Sequence, residues 1–198
     1  MSTNSLVTIL NKDNSVVSSY VHYDGYASGV GELLLENYNS EELARELATT
    51  LGYASSLKET VAKSYEDRAN SDEPETYEDY LEFEEMIKDS IHLEYVYVWD
   101  CHKDRWMVAT WETTEKKVHN GTCFDYEFES HWNGFEDLVI VYVREGRKDI
   151  MRYRDIALED NREGAKKEYD EYADELELNV DKWHRIGMSE VAREALAA

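Results

Sequence analysis

The sequence predicts an α+β protein, with a hairpin-rich antiparallel sheet packed with helices and acidic helices on the outside. Three observations carry this. β-Branched and aromatic runs recur in pairs joined by turn residues, LVTIL with VVSSYVHY and LEYVYVW with WMVATW. Leucines at helical spacing follow a glycine-punctuated loop. Acids crowd two helix-forming stretches, 65–89 and 159–178.

Residues 6–10 and 16–23 read as strands joined by the turn residues NKDN. Asp24 to Gly31 (DGYASGVG) then holds three glycines in eight positions, which marks backbone needing positive φ or close approach. Ser28 is placed to cap the next helix, with Val30, Leu33, Leu34 and Tyr38 as its buried stripe. Asn39 with Glu42 resembles a capping box for a second helix through Leu43, Leu47 and Leu51, ended by Gly52. Residues 53–64 have a faint helical pattern. A loop around Pro74 precedes an acidic helix with Tyr77, Leu81 and Met86 as its apolar stripe.

The second hairpin spans 93–111 with CHKD as its turn. Residues 123–128 and 138–143 (LVIVYV) read as further strands, the latter ended by Glu145-Gly146, while 149–158 fits strand or helix. Residues 159–178 form a helix about 30 Å long, and 181–198 an amphipathic tail carrying Trp183, Ile186, Met188, Val191 and Leu196. The expected organisation is four stretches, 1–64, 65–92, 93–158 and 159–198, in one compact domain or two small ones.

The 198 residues carry 44 acids against 21 bases, a formal net charge of −23. Such a field repels nucleic acid, anionic membranes and nucleotides, and attracts basic proteins, including those whose ordinary ligand is DNA or RNA. The bland counterpart is a solvated acidic surface serving solubility. No apolar run is long enough to cross a membrane and the N-terminus lacks a secretory pattern, so a soluble cytoplasmic protein is expected, with Cys101 and Cys123 reduced.

Sites for chemistry are few. The glycine loop is neither a phosphate-binding G-x-x-x-x-G-K-[ST] nor a spaced G-x-G-x-x-G, and Asp24 and Glu32 flank it with the wrong sign for phosphate. It remains the place for a small ligand if one binds. Cys101, His102, His119 and Cys123 are candidate metal ligands, the last two at the helix-compatible spacing H-x-x-x-C, but adjacent Cys101 and His102 fit one tetrahedral ion poorly. No metal or cofactor is expected. Neither cysteine sits in a nucleophile motif, and a negative field raises a thiol pKa. The expectation is a protein that is not an enzyme.

The acidic stretches suit mimicry of nucleic acid. Eleven acids over the 24 residues from Glu66 to Asp89 give, if helical, one charge per roughly 3.3 Å, against about 3.4 Å per phosphate along one DNA strand. Nine over Glu159 to Glu177 give a similar density. The candidate partner-binding residues are Glu78, Asp79, Glu82 and Glu85, with Asp170, Glu171, Asp174 and Glu175. Tyr65, Tyr77, Tyr80, Tyr169 and Tyr172, interleaved among them, serve either as core stripe or as contact anchors.

The segment SYVHYDGYASGVGELLLENYNS, with the later EYVYVWD strand, resembles small bacteriophage-encoded proteins with an H-x-DGY and G-V-G signature and no assigned activity. His22, Asp24, Gly25, Tyr26, Gly29 and Gly31 match; Ala27 stands where proline is common. The resemblance covers about residues 16–40 and 93–111, neither acidic stretch among them, and implies no catalytic residue. It implies a phage accessory protein. With the charge, it leads to an expected inhibitor of a host nucleic-acid-binding defence complex (anti-restriction or anti-CRISPR) in the host cytoplasm. The alternatives are a small-molecule binder or enzyme using Asp24–Gly31, and an acidic interaction domain without mimicry.

Overall fold

A computed structural model describes residues 3–66, 72–90, 92–119, 124–159 and 162–197; of 113–119, 124–130, 163 and 188–197 it describes the backbone alone. The fold is α+β. Strands β1 (Ser5–Leu10), β2 (Val16–Val21), β3 (Tyr53–Ala54), β5 (Tyr95–Asp100), β6 (Arg105–His119) and β7 (Phe124–Trp132) line up in the order β3-β2-β1-β5-β6-β7. Short β4 (Glu75–Tyr77) and β8 (Glu136–Asp137) pair with β2 and β6. Both expected hairpins are present, β1 with β2 and β5 with β6, each antiparallel. The sheet as a whole is mixed, because β1 runs parallel to β5 and β2 parallel to β3.

The two central strands are buried on both faces. In β5, Tyr97 and Trp99 enter one core while Val96 and Val98 enter the other, as the two-residue period of a strand requires. The larger core receives Val7 and Ile9 of β1 and lies under α1 (Glu32–Asn37), α2 (Glu41–Thr50), α5 (Leu138–Glu159) and α6 (Glu163–Ala197). The smaller one receives Leu6 and Val16 and is closed by α4 (Tyr80–Asp89) through Phe83 and Ile87. The result is three layers, with most helices on one face of the sheet and α4 on the other.

Local details correct several sequence expectations. A π-helical turn, Ala27–Gly31, precedes α1, and Ser28 caps nothing; its hydroxyl donates to Asp149 Oδ2 at 3.2 Å. The cap of α2 is Ser40, not Asn39: its Oγ accepts from the Leu43 amide at 3.3 Å. Leu43 is exposed, and α2 buries Ala44, Leu47 and Ala48 instead. Gly52 does end α2, at φ +64°, where a Cβ would collide with the Asp72 carbonyl. Ser19 of β2 ties this corner, donating to the Ala48 carbonyl and accepting from the Gly52 amide. Residues 53–64 are not one helix but β3 and the start of α3 (Val61–Glu66).

The largest correction is 138–143. It is not a strand but the first turns of the 22-residue helix α5, which also takes in 149–158. Its buried positions Leu138, Val141, Tyr142, Gly146, Ile150 and Ala157 keep helical spacing. Tertiary contacts override β propensity here: Leu138 lies against Gly31, and Tyr142 donates to Glu32. Gly146 therefore ends nothing. It lets α5 approach α6, where a Cβ would stand 2.5 Å from Val180 Cγ2. The expected helix of 159–178 and separate tail are one helix, α6, of 35 residues. Trp183 is buried and Ile186 packs on the larger core; the side chains of Met188, Val191 and Leu196 lie outside the described residues.

Candidate functional site

The first acidic stretch is not a continuous helix. Helix α3 is described as far as Glu66, residues 67–71 lie outside the described residues, β4 pairs with β2, and α4 supplies ten helical residues. The expected stripe of Tyr77, Leu81 and Met86 is also revised. Tyr77 belongs to β4 and Leu81 is exposed; the buried pair is Phe83 and Ile87. Tyr77 and Tyr80 lean on the Phe83 ring, so both serve as core stripe.

What remains is a compact acidic surface. Residues 72–90 carry nine acids and one lysine, a net −8. Glu78, Asp79, Glu82, Glu85 and Asp89 are all exposed. Glu82, Glu85 and Asp89 stand on the solvent face of α4, away from Phe83 and Ile87, about 5 Å of helix rise apart. Helix α4 holds four acids in ten residues, one per roughly 4 Å of axis, close to the phosphate spacing of a single strand, about 3.4 Å. Within α4 one pair offsets this charge, Lys88 with Glu84 at 2.9 Å.

Two of these acids also hold the helix. Asp79 is the cap of α4, its Oδ1 accepting from the Glu82 amide at 3.0 Å, and Glu82 Oε2 accepts from the Glu78 amide at 2.9 Å. The first bond satisfies an amide that the first helical turn leaves without a partner, and the second holds the chain just before the cap. Glu78 and Glu85 have no part in capping by their side chains.

The second set of acids is different in kind. Arg154 of α5 binds Asp174 at 3.0 Å and Glu177 at 2.6 Å, and Lys167 lies 3.4 Å from Glu171. Asp170 is half-buried. Tyr169 and Tyr172 pack on Tyr153 of α5. Helix α6 thus uses Asp174, Glu177 and its two tyrosines to dock on α5, and pairs Glu171 within itself.

Glu175 joins the signature loop. A cavity of about 340 Å³ is lined by Asp24, Tyr26, Ser28 and Gly29 of the loop, by Glu32 and Glu36 of α1, by Lys58, and by Tyr172, Glu175 and Asn179 of α6. Glu32 lines it half-buried, its two oxygens accepting from Tyr142 and Asn179 at 2.8 Å each. Burial raises its pKa, with Glu36 and Glu175 adding to the effect. Burial and the nearby Asp24 push Tyr26 up to about 12.

The loop glycines serve close approach rather than positive φ. A Cβ on Gly25 would stand 2.6 Å from the Thr3 carbonyl, and one on Gly29 2.3 Å from the Asp24 carbonyl. The left-handed residue is Asp24 itself, at φ 59°. Gly31 faces Tyr97, whose hydroxyl donates to the Gly25 carbonyl at 2.8 Å. His22 lies among Tyr20, Tyr23 and Tyr53. The signature residues therefore chiefly build a strand-to-helix crossing.

Cys101 is a buried free thiol at the β5–β6 turn, its pKa raised by burial and by Glu41. Among the described residues no group of three His, Cys, Asp or Glu is placed to hold a metal; the His119 side chain and Cys123 lie outside them. No helix among the described residues is long and apolar enough to cross a membrane.

Sequence reasoning missed a second cavity, of about 430 Å³, bordered by Trp99, Trp106 and Trp183. These residues come from strands and a helix far apart in the chain, and no local pattern joins them. No family model, curated protein or solved structure matches this chain.

Proposed function

We propose that this protein binds a basic, nucleic-acid-binding protein through the acidic face of α4 and the strand leading into it, and so displaces nucleic acid from that partner. The observation that carries the reading is the net −8 of residues 72–90, the segment formed by α4 and the strand leading into it, with the carboxylates Glu82, Glu85 and Asp89 sharing the solvent face of the helix. The charge spacing suits a groove built for a phosphate strand, and the partner's arginines and lysines gain charge-assisted hydrogen bonds. The acids of α6 contribute less, since Arg154 and Lys167 already engage Asp174, Glu177 and Glu171.

The resemblance to phage-encoded proteins makes the partner a host defence complex, of the restriction or CRISPR type, and the chain its inhibitor. Binding then falls steeply with salt, because at 0.1 M the attraction between exposed charges more than about 10 Å apart is largely screened. Surface capture of a candidate nuclease over a salt series, with duplex DNA as competitor, tests this. Salt-independent binding, or binding that DNA leaves untouched, contradicts mimicry and leaves an acidic interaction domain.

A second reading rests on the cavity beside the signature loop. Asp24, Glu32, Glu36 and Glu175 line it against Lys58, a balance that rejects phosphate and favours a small amine or other cation. Calorimetric titration with spermidine tests it: saturable binding lost in Glu175→Gln supports this site, and no heat removes it.

A further inference from the structure

We propose that the outer face of the α5–α6 pair is a self-association surface, on which a second copy of this chain docks with α5 of each copy lying across α6 of the other. Helix α5 keeps an unburied seam. Ile140, Met151 and Leu158 are 53%, 68% and 75% exposed, on a helix whose opposite side packs into the larger core. With Arg144, Arg147 and Arg154 they alternate in steps of four and three residues, the spacing by which one helix meets another. Leu178 of α6 is 72% exposed. Arg154 bridges the two helices on their solvent side through Asp174 and Glu177. Met151 and Leu158 stand about one turn from Arg154, and Leu178 about one turn from Asp174, so these apolar side chains border one surface.

Charge selects the occupant. The exposed residues of α5 include four bases, Arg144, Arg147, Lys148 and Arg152, against two acids, Asp155 and Glu159. Arg147, Lys148 and Arg152 make no ion pair among the described residues, in a chain whose acids outnumber its bases 44 to 21. Residues 168–181 of α6, by contrast, expose six acids and contain no base. Gly146 stands against Val180 and Tyr153 against Tyr172, so the basic stretch of α5, 144–152, lies level with 174–181 of α6. A two-fold axis running along the helix pair preserves these levels. It sets the bases of one α5 over the acids of the other copy's α6, with Met151 near Leu178, and does so twice in one closed dimer.

The face is large enough to hold. Two adjacent helices present a patch about 33 Å long and about 20 Å wide. That is about 600 Å² per copy and about 1,200 Å² in all, the lower end of stable interfaces, which suits dissociation in the micromolar range. Repulsion between the remaining charges of the two copies is largely screened beyond about 10 Å at 0.1 M salt. Helix α4, on the other face of the sheet, stays uncovered. The pairing does not rest on the binding role given to α4, but it would present that acidic face twice.

Sedimentation of the full chain over a concentration series tests the proposal, with two charge-reversed variants. The first carries Arg147→Glu and Arg152→Glu, the second Glu175→Lys and Asp181→Lys. The wild type is expected to pass from monomer to dimer. Each variant alone sets like charges against each other at both contacts and should dimerise at least tenfold more weakly. An equimolar mixture of the two variants makes every contact complementary again and should restore the dimer, which also shows that both are folded. The proposal is overturned if the wild type stays monomeric throughout the series, or if either variant dimerises as the wild type does. It is equally overturned if mixing restores nothing.

Discussion

The indole nitrogen of Trp132 donates to the main-chain carbonyl of Ile87 at 2.9 Å. The C-terminal end of α4 is thereby tied to the base of the β6–β7 hairpin, where Trp132 also meets Trp111 edge to face. Since α4 is the helix closing the smaller core, this bond and the burial of Phe83 and Ile87 fix the acidic face in place. Trp132→Phe should cost about 1 kcal/mol. It should also speed amide exchange in α4 while leaving β1 and β2 unchanged. Equal acceleration throughout would mean the bond does not act on α4 specifically.

Gly146 and Val180 set how closely α5 and α6 approach. Alanine is the better helix former by about 1 kcal/mol, so Gly146→Ala would stabilise an isolated α5. Here its Cβ would fall 2.5 Å from Val180 Cγ2, and overpacking of this kind costs about 1–3 kcal/mol. A lowered melting temperature is expected, recovered in part by adding Val180→Ala. A raised melting temperature in Gly146→Ala alone would show that the two helices are free to separate.

The capping correction is directly measurable. Ser40→Ala removes the oxygen that accepts the Leu43 amide and should cost about 1 kcal/mol. Asn39→Ala should be neutral, because the structure gives the cap to Ser40. Urea unfolding of both variants separates these outcomes, and the reverse order would restore Asn39.

Glu32 makes stability depend on pH in an unusual direction for a carboxylate. Its folded pKa lies above the ordinary value of 4.5, chiefly through burial. The folded state then binds the proton more tightly than the unfolded chain does. This contribution is complete below the unfolded pKa and is lost as pH rises through the folded one. Glu32→Gln should flatten the decline in stability above pH 4.5 relative to wild type. Carboxylates lowered by their partners, such as Glu136 beside Arg144, act in the opposite sense but cancel in the comparison. Parallel pH profiles for the two proteins would contradict the raised pKa.

The hairpins were legible because their strands are separated by turn residues and alternate cleanly. YVYVWD even shows the two buried faces of β5, with aromatic residues toward one core and valines toward the other. LVIVYV was not legible as a helix. Its β-branched composition points to a strand, and only Gly31, Glu32 and α6 make the helical arrangement preferable. The exposed acids of α4 were readable from composition, whereas the docking of the α6 acids onto Arg154 depends on packing twenty residues away in sequence. Trp99 and Trp183 line one cavity from 84 positions apart, a relation no window of sequence contains.

The most direct test of the central claim uses Glu78→Gln, Glu85→Gln and Asp89→Asn together, sparing the capping residues Asp79 and Glu82. Immobilised wild-type and variant chains are exposed to bacterial lysate at low salt, and retained proteins are eluted with duplex DNA. The account predicts a basic nucleic-acid-binding protein that DNA releases from the wild type, with retention by the folded variant reduced at least tenfold. Equal retention by the two chains, or a retained protein that DNA does not release, would contradict it.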